Sequence, residues 1–388
     1  MKKWFRNNKE NIFFVLLTFV AWRVWLQFFL LLGWFVLPLG DRFLVGGMEN
    51  FLRHPNLLAW ANFDGEHYLA IAQHGYGMFD QVLFPFYPFL IKTFIFPLKE
   101  SLFTLLFSGL TISNLSFLIA LFLLYLLVKL DFNQKTARWT ILFLLVFPTS
   151  FFFGSVYNES LFLLLILGSF YTARRGNWWL AGILGAFASA TRPVGIFLLP
   201  ALLWEWWEQN KIKNEKLKMK NLFNLLPIFL VSAGLLWYMR YLAINYQDPL
   251  MFLHSQPAFG AQRVADKVIL LHQVCWRYFK MIATTKANLL YFTVWLEFLS
   301  AAFSGILLVF GYLRKIRLSY LIFAFLAFIV PTLTGTFSSM PRYVLVLFPC
   351  FIALSLIKSK WFRLAWIVLS ILLLFVATIF FTRGYFVG

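Results

Sequence analysis

The chain has 388 residues, of which 61% are hydrophobic and only 13% are charged. Soluble domains carry roughly 25% charged residues, so this composition excludes an ordinary water-soluble protein and indicates an integral membrane protein. The formal net charge of +19 would suggest a nucleic-acid partner in a soluble protein. Here the basic residues stand mainly in short clusters between apolar runs, where the positive-inside rule accounts for them and no nucleic acid is expected.

The two cysteines and the first residues narrow the protein class further. Cys275 and Cys350 lie far apart, which supports neither a disulfide framework nor a thiolate metal site. The basic start MKKWFRNNKE precedes an apolar run over residues 12–39. That run is too long for the apolar region of a signal peptide, and no small-residue cleavage site is evident. We therefore expect a retained first helix with its N-terminus on the cytoplasmic side.

Apolar segments of spanning length, separated by polar residues, predict about eleven helices in a single transmembrane domain over residues 1–388. Most basic residues then fall in short inner segments, whereas the acidic residues of the first long segment fall on the outer side. The fold class is thus predicted to be an all-α, polytopic transmembrane helical bundle. The predicted helices lie near residues 12–39, 101–128, 139–156, 160–173, 178–191, 194–208, 221–245, 288–312, 318–336, 342–357 and 361–381.

Two predicted outer segments are long, over residues 40–100 and residues 246–287. Loops of that length in a compact membrane protein often fold into surface helices or form a site. The sequence predicts amphipathic surface helices over residues 57–74 and 261–282. Of the two segments, residues 40–100 carry the candidate catalytic motif.

The predicted helix over residues 57–74 places one carboxylate and two imidazoles on the same face, because residues three and four positions apart share a side of a helix. Glu66 points elsewhere. The shared face carries Trp60, Asp64, His67, Ile71 and His74.

Three further polar groups stand at the outer ends of predicted helices. The topology brings them to the membrane face that carries Asp64, and this convergence of separate parts of the sequence is the main support for a site there. They are the segment from Tyr157 to Ser160, the tripeptide Thr191-Arg192-Pro193 and the segment from Ser338 to Tyr343.

Asp64 is the candidate general base, because a positioned carboxylate can take the proton of an acceptor hydroxyl as the new bond forms. Arg192 and Arg342 suit a phosphate leaving group through bidentate hydrogen bonds and stabilise the charge it gains. The alternatives are a helix cap or a solvated carboxylate for Asp64. For the two arginines they are snorkelling toward water or capping of helix carbonyls.

Two more carboxylates belong to predicted membrane helices or their ends. Glu159 is expected to pair with Arg192 or to hold a sugar hydroxyl, with Tyr157 and Asn158 alongside, since a carboxylate next to a span usually has a partner or a role. Glu297, like Arg23, lies within a predicted helix and is expected in a structural ion pair.

A metal site is the less favoured interpretation of Asp64, Glu66 and His67. Carboxylate and imidazole ligands suit several divalent ions, but this spacing is not specific. No Asp-x-Asp occurs in the sequence, and a monophosphate leaving group requires a metal less than a diphosphate does. We therefore expect no cofactor, with a divalent metal as the alternative.

Several blocks of the sequence resemble the PIG-V family of membrane mannosyltransferases, which are related to GPI mannosyltransferase 2. The blocks follow the family's order over about residues 12–355. They read FDGEHYLAIAQHGY with FPFYPFL, then FPTSFFFGSVYNESLFLLL, FYTARRGNWWLAG, ASATRPVGIFLLP and MPRYVLVLFPCF.

The resemblance implies a GT-C glycosyltransferase fold whose first extracytoplasmic loop provides the catalytic carboxylate. It implies an inverting transfer of a hexose, typically mannose, from a polyprenyl-phosphate donor. The family's acidic motif maps onto Asp64, Glu66 and His67, the predicted catalytic residues, with Phe63 where relatives often carry Trp. The residues expected to bind substrate are Arg192, Arg342, Tyr343, Tyr157, Asn158, Glu159, Asp41 and Tyr87.

The basic outer loops and the short chain favour a bacterial plasma-membrane protein, with an extracytoplasmic site and a glycolipid, glycan or protein acceptor. Two other functions remain open. A transporter or flippase of lipid-linked sugars would need polar residues through the bilayer midplane, whereas here they concentrate at one face. An inactive structural subunit is the other alternative.

Overall fold

A computed structural model describes residues 2–40, 44–96, 99–212, 223–286 and 289–387. Within these ranges the protein is built of α-helices, 3-10 turns and connecting segments, and no strand occurs. The predicted all-α fold class is therefore confirmed.

The described part of the first half of the chain forms ten α-helices. In chain order they are α1 (Lys2–Val36), α2 (Gly47–Arg53), α3 (Pro55–Leu58), α4 (Asp64–His74), α5 (Phe86–Phe94), α6 (Leu102–Asp131), α7 (Gln134–Leu145), α8 (Glu159–Arg174), α9 (Trp178–Thr191) and α10 (Leu198–Ile212).

The described part of the second half adds nine α-helices. They are α11 (Leu226–Phe229), α12 (Val231–Tyr246), α13 (Met251–His254), α14 (Leu271–Thr284), α15 (Leu289–Leu313), α16 (Leu318–Thr332), α17 (Met340–Tyr343), α18 (Phe348–Ser355) and α19 (Lys360–Thr382). Short 3-10 turns lie at Ala59–Ala61, Asp80–Val82, Ser150–Gly154, Pro193–Phe197, Gln256–Phe259 and Val344–Val346.

Five helical stretches among the described residues are long and apolar enough to cross a membrane. Two shorter apolar helices, α9 and α16, accompany them. The five stretches are Lys9–Val36, Leu102–Asp131, Leu226–Tyr246, Tyr291–Leu313 and Lys360–Thr382.

Proline interrupts several of the predicted spans. The segment predicted at residues 139–156 ends as a helix at Leu145, shortly before Pro148, and continues as a 3-10 turn. Pro193 begins another 3-10 turn before α10, and Pro341 and Pro349 lie at the starts of α17 and α18. A proline lacks the amide hydrogen and restricts the residue before it, so it begins helices more readily than it continues them.

The two surface helices are also shorter than predicted. The segment at residues 57–74 is α3, a 3-10 turn and α4, with a break at Asn62 and Phe63. The segment at residues 261–282 becomes helical only at Leu271, because Ala261 and Gln262 have positive φ angles of 56° and 50°. Positive φ is incompatible with a right-handed helix, so the first predicted helix is broken at Phe63, which has φ 59°, and the second begins late.

Helix α9 approaches both α11 and α12 with almost no side chain between them. A Cβ added to Gly182 would lie 1.8 Å from the carbonyl oxygen of Pro227, and one added to Gly234 would lie 2.0 Å from that of Ala186. The Ser189 hydroxyl donates to the Val231 carbonyl at 2.5 Å. Small residues allow this backbone contact, which fixes the end of α9 and hence Arg192.

Several long-range hydrogen bonds hold the segment before α4. The Asn62 amide donates to the Phe381 carbonyl at 3.0 Å, and the Tyr157 hydroxyl donates to the Asn62 carbonyl at 3.0 Å. The Val156 amide donates to the Trp60 carbonyl at 2.8 Å. The start of α4 is thus fixed between the end of α19 and the turn before α8.

A buried ionic cluster joins four helices at the other end of α8. Arg174 donates to Asp131 at 2.8 Å and lies 3.5 Å from Glu205, which is fully buried. Arg317 donates to Glu205 at 2.6 and 2.8 Å. Buried charges are tolerated when they are paired in this way, and the cluster anchors α6, α8, α10 and the start of α16.

We expect Gly234→Ala to destabilise the protein, because the added Cβ would meet the backbone of α9. Overfilling a packed contact costs about 1–3 kcal/mol. Thermal unfolding of the purified protein in one detergent would record this as a lower Tm.

Gly305→Ala is the matched control, since the nearest atom to its added Cβ is in the Phe328 ring at 3.9 Å. Alanine is also favoured over glycine in a helix by about 1 kcal/mol. Its Tm should stay unchanged or rise. An equal loss of Tm in both variants would contradict the close contact of α9 and α12.

Candidate active site

Asp64 is the first residue of α4 because the residue before it cannot be helical. Phe63 has φ 59° and ψ −121°, a conformation that is costly for a bulky residue and persists only where its surroundings hold it. Its ring packs against Phe381 and Phe386, with centroids 5.9 and 5.8 Å away. The carboxylate of Asp64 consequently lies at a helix N-terminus, where the peptide dipoles favour negative charge.

Four charged side chains form an alternating row that begins at Asp64. The Asp64 carboxylate accepts a hydrogen bond from Nη1 of Arg342. The Arg342 Nε lies 3.3 Å from Oε1 of Glu159, and the same oxygen accepts from Nη1 of Arg192 at 3.1 Å. Glu159 is 1% exposed. The row brings together the ends of four segments that are far apart in the sequence.

The row keeps both Asp64 and Arg342 ionised. Burial raises the pKa of Asp64, but the charge and hydrogen bond of Arg342 outweigh it and hold that pKa below its ordinary value. Burial lowers the pKa of Arg342, whereas the carboxylates of Asp64 and Glu159 raise it, with a net increase. An opposite charge at contact distance favours the charged form of each partner.

A third arginine, Arg263, faces the same site. Its Nη2 donates to the hydroxyl of Ser339 at 3.1 Å. The amide of the next residue, Val264, donates to the Thr334 carbonyl at 3.0 Å. Burial raises the pKa of Tyr343, but Arg263, Arg342 and Arg192 together lower it below its ordinary value. Positive charge therefore prevails around Tyr343.

These groups line one side of a cavity of about 350 Å³. Its charged lining consists of three guanidinium groups and two carboxylates, a formal charge of +1. Another part of the wall is apolar, and it is formed largely by the turn before α10 and by α16. The apolar lining includes Val194, Ile196, Phe197, Leu235, Phe252, Ala327, Val330, Pro331 and Phe386.

Such a cavity can bind a molecule with an anionic group and an apolar chain. Guanidinium groups match phosphate oxygens in geometry and charge. The carboxylate of Asp64 lies beside them and is ionised, so it can accept a proton from a bound hydroxyl.

The sequence profile described as Mannosyltransferase (PIG-V) matches residues 48–252, which is more than half of the chain. The chain belongs to the PIG-V mannosyltransferase family. The family predicted from the sequence is thereby confirmed, and membership places the chain among glycosyltransferases. The matched residues contain Asp64, Glu159 and Arg192, whereas Arg263 and Arg342 lie beyond them.

One solved structure shows the same fold. The crystal structure of ArnT from Cupriavidus metallidurans bound to undecaprenyl phosphate aligns with 93% of this PIG-V family chain at 15% identity and a TM-score of 0.51. The alignment covers 62% of the ArnT chain. The Archaeoglobus fulgidus oligosaccharyltransferase, tethered with an acceptor peptide, aligns over 100% of this chain and 56% of its own, at 12% identity and a TM-score of 0.49. A comparison with curated proteins finds no match.

Asp64 is the only one of the three predicted catalytic residues that lines the cavity. The Nδ1 of His67 lies 2.8 Å from Oδ1 of Asp80, and this hydrogen bond raises the pKa of His67 against the opposing effect of burial. Burial raises the pKa of Glu66. The predicted common face of Trp60 and Asp64 is wrong, because the helix breaks between them at Phe63.

The predicted substrate-binding residues divide into two sets. Asn158, Glu159, Arg192, Arg342 and Tyr343 line the cavity, and Glu159 makes the predicted pair with Arg192.

Tyr157 and Tyr87 lie behind the cavity wall. The Tyr157 ring centroid is 5.5 Å from the Arg342 guanidinium carbon. Tyr87 is buried and hydrogen-bonds to the Gly109 carbonyl and the Ser113 hydroxyl. Asp41 lies outside the described residues.

Sequence reasoning missed the roles of Arg263 and Glu297. Glu297, buried in α15, accepts a hydrogen bond from the Tyr278 hydroxyl at 2.5 Å and also bonds to the Ser338 hydroxyl and the Ser339 amide. The predicted ion pair is therefore replaced by hydroxyl and amide donors. Ser339, at φ 67°, precedes α17. Glu297 thus holds the turn that positions Arg342 and binds Arg263.

Metal ligation has no ready arrangement in the part of the chain that the structure describes. No group of three or more His, Cys, Asp or Glu side chains there is placed to hold a metal ion. Asp64 and Glu159, the carboxylates of the cavity, contact arginines instead.

We expect Glu297→Gln to weaken donor binding while the protein still folds. The amide keeps the shape of the side chain but has one acceptor oxygen instead of two, so the turn at Ser338 and Ser339 loosens. Small displacements of positioning groups can cost up to about 100-fold in rate. Initial rates over a range of donor concentrations should show an increase in KM larger than any fall in kcat.

Glu208→Gln is the control for this variant, because it makes the same chemical change in the ionic cluster at the other end of the bundle, 3.7 Å from Arg317. Its KM should match that of the unmodified protein. A normal KM for Glu297→Gln, or the same increase in both variants, would exclude a positioning role for Glu297.

Proposed function

We propose that this protein is an inverting glycosyltransferase that moves a hexose, in the first instance mannose, from a polyprenyl-phosphate carrier to a hydroxyl acceptor at the extracytoplasmic membrane face. The observation that carries the proposal is the row from Asp64 to Arg192, set in a cavity with an apolar wall. The row offers a base and phosphate ligands side by side. Family membership supports the reaction class, and ArnT, a structure of similar fold, is described as bound to undecaprenyl phosphate.

Three arginines would bind the donor phosphate. A sugar linked to a polyprenyl chain through one phosphate carries a single negative charge, which matches the formal +1 of the cavity lining. When the bond from the anomeric carbon to the phosphate oxygen breaks, the leaving phosphate gains a second negative charge. Arg192, Arg263 and Arg342 would stabilise that charge, so the leaving group needs no general acid.

Asp64 would take the acceptor proton. The acceptor oxygen forms a bond to the anomeric carbon on the side opposite the phosphate, and its proton passes to the carboxylate of Asp64. This displacement inverts the configuration at the anomeric carbon. Glu159, Asn158 and Tyr343 line the same cavity and would contact the sugar.

Donor binding would also strengthen the base. In the free protein Arg342 holds the pKa of Asp64 below its ordinary value, which makes the carboxylate a weak base. A phosphate that shares Arg342 reduces the net positive field at Asp64 and adds a negative charge nearby, and both effects raise its pKa. Asp64 would thus become a competent base only when the donor is in place.

The apolar wall would receive the beginning of the polyprenyl chain. Its residues come largely from the turn before α10 and from α16, where Val330 is 38% exposed. A chain leaving the cavity there would enter the surrounding lipid. The acceptor would be a glycolipid, a glycan or a protein.

The extracytoplasmic face is supported by the distribution of charge. Arg175 at the end of α8, Arg314 after α15 and Lys358 before α19 are exposed basic residues at the end remote from Asp64. Basic residues concentrate in cytoplasmic loops. The cavity would then open on the outer side of a bacterial plasma membrane.

We expect Asp64→Asn to lower sugar transfer by about 100- to 10,000-fold, the range typical for loss of a general base. The amide is nearly the same size and cannot take the proton. Transfer of labelled mannose from polyprenyl-phosphate mannose to host lipid extract, measured in detergent with product identification by mass spectrometry, tests this.

Glu66→Gln is the matched control, because Glu66 is the neighbouring carboxylate and does not line the cavity. It should retain most of the transfer activity. Near-normal transfer by folded Asp64→Asn would refute Asp64 as the base, and loss of transfer only in Glu66→Gln would move the role to Glu66. Lipid translocation in vesicles without any transfer in detergent would favour the flippase instead.

The pH dependence of kcat/KM should differ from that of kcat. A lowered pKa keeps Asp64 deprotonated to more acidic pH, so the acid limb of kcat/KM, which reports free enzyme, should lie below the ordinary value of 3.8. The acid limb of kcat, which reports the donor complex, should lie at higher pH because the phosphate raises the pKa of Asp64. Initial rates in mixed buffers would measure both, and coincident limbs would contradict activation by the donor.

A further inference from the structure

A second cavity, of about 430 Å³, lies between α1 and α7 at the end of the bundle remote from Asp64. Near it, the Asn11 side chain of α1 contacts Gln134 and Arg138 of α7. The opposite end of α1 contacts the residue that follows α19, since Arg383 donates to the carbonyl of Leu37. At about 1.5 Å per helical residue, the part of α1 from Asn11 to Val36 is roughly 37 Å long.

The cations of this second cavity have no carboxylate partner among the described side chains. Arg138 Nη2 donates to Asn11 Oδ1 at 3.1 Å, but its buried Nε has no hydrogen-bond partner within the described structure. Lys135, one turn away, is exposed and pairs with no described carboxylate. Neither cation is neutralised by a described carboxylate, so the two lining side chains are suited to an added anion.

Arg174 shows how a cation at this end of the bundle is held where a carboxylate is available. It lies at the same end of the bundle, and it donates to Asp131 at 2.8 Å on both oxygens. Positive charge at this end is therefore neutralised where the chain supplies an acid. Around Lys135 and Arg138 the described chain supplies only amide oxygens.

Aromatic rings form the remaining walls. The Arg138 guanidinium carbon lies 5.1 Å from the Phe14 ring centroid, and that of Arg363 lies 4.8 Å from the Trp139 ring centroid. Arg363 donates to the carbonyls of Ile357 and Ser355, so its charge is also without a carboxylate. Basic side chains next to aromatic rings suit a ligand that is anionic at one end and apolar along the rest of its length.

The position of the cavity favours a lipid over a small anion as its ligand. The membrane-spanning stretch of α1 begins at Lys9 and that of α19 at Lys360, so the cavity lies where these spans begin. Outside it, Phe13 and Leu17 of α1 are 64% and 55% exposed and provide an apolar surface. An acyl chain could follow this surface while its phosphate remains at the level of the basic residues.

We propose that the cavity between α1 and α7 binds the phosphate of an anionic phospholipid, with Lys135 and the guanidinium group of Arg138, which both line the cavity, as its donors. The lipid holds the beginning of α1 against α7. This inference uses no part of the proposed catalytic site, so it stands or fails independently of the transferase reaction.

The experiment titrates the full-length protein, purified in a neutral detergent, with phosphatidylglycerol, phosphatidylcholine or inorganic phosphate. Native mass spectrometry measures the fraction of protein that carries one bound molecule. We expect phosphatidylglycerol to bind about tenfold or more tightly than phosphatidylcholine, and Lys135→Gln/Arg138→Gln to lower its affinity by about 30-fold. Lys135→Gln alone should lower the affinity for phosphatidylglycerol by about fivefold. Because Lys135 is exposed, this single variant still tests the proposal if the double variant does not fold.

Arg175→Gln/Arg314→Gln is the charge-matched control, because both residues are exposed at the same end of the bundle. It should leave phosphatidylglycerol binding within about twofold. Unchanged binding in the Lys135 variants, or an equal loss in the control, would overturn the proposal in favour of diffuse surface attraction. Inorganic phosphate that binds as tightly as phosphatidylglycerol would overturn the lipid as the ligand.

Discussion

The pair formed by Asp64 and Arg342 is the interaction on which the rest of the site depends. Removing two charges from water costs several kcal/mol per ion, and only close pairing with further hydrogen bonds offsets it. Here Arg342 also contacts Glu159, which binds Arg192. Each charge is therefore compensated by a residue from another segment, and removal of one would leave its neighbour buried without a partner.

The backbone near both members of this pair adopts unfavourable conformations. Phe63, directly before Asp64, has φ 59°, and Ser339, three residues before Arg342, has φ 67°. Such conformations persist where surrounding contacts enforce them, and they concentrate at functional sites. Packing of the Phe63 ring on Phe381 and the hydrogen bonds of Glu297 provide those contacts. Strain at the site is thus held by helices that lie outside it.

The sequence alone was sufficient to select all four members of the charged row. A carboxylate or a guanidinium at the end of an apolar segment is unusual, and Asp64, Glu159, Arg192 and Arg342 stand out for that reason. The all-helical fold follows from the same apolar segments. Helix ends were less predictable, because several depend on proline positions or on positive φ angles that no periodicity reveals.

Two parts of the site required the three-dimensional arrangement. The distinction between Asp64 and Glu66 depends on where α4 begins, and that is fixed by tertiary contacts of Phe63 and not by a local pattern. Arg263 lies in a segment whose composition resembles a surface helix but which bonds to the turn after α16 instead. A basic residue in an amphipathic segment is usually solvated, so only its proximity to Ser339 marks it as part of the site.

The four charges of the row from Asp64 to Arg192 balance one another before any substrate binds, which determines how a phosphate can enter. Arg192 and Arg342 share the carboxylate of Glu159, and Arg342 also binds Asp64. Arg263 adds a cation whose described hydrogen bond is to a serine hydroxyl and not to a carboxylate. An entering phosphate would therefore meet Arg263 first and compete for Arg342 second. Competition for Arg342 weakens its hold on Asp64, so under the proposed mechanism binding of the leaving group and activation of the base are one event.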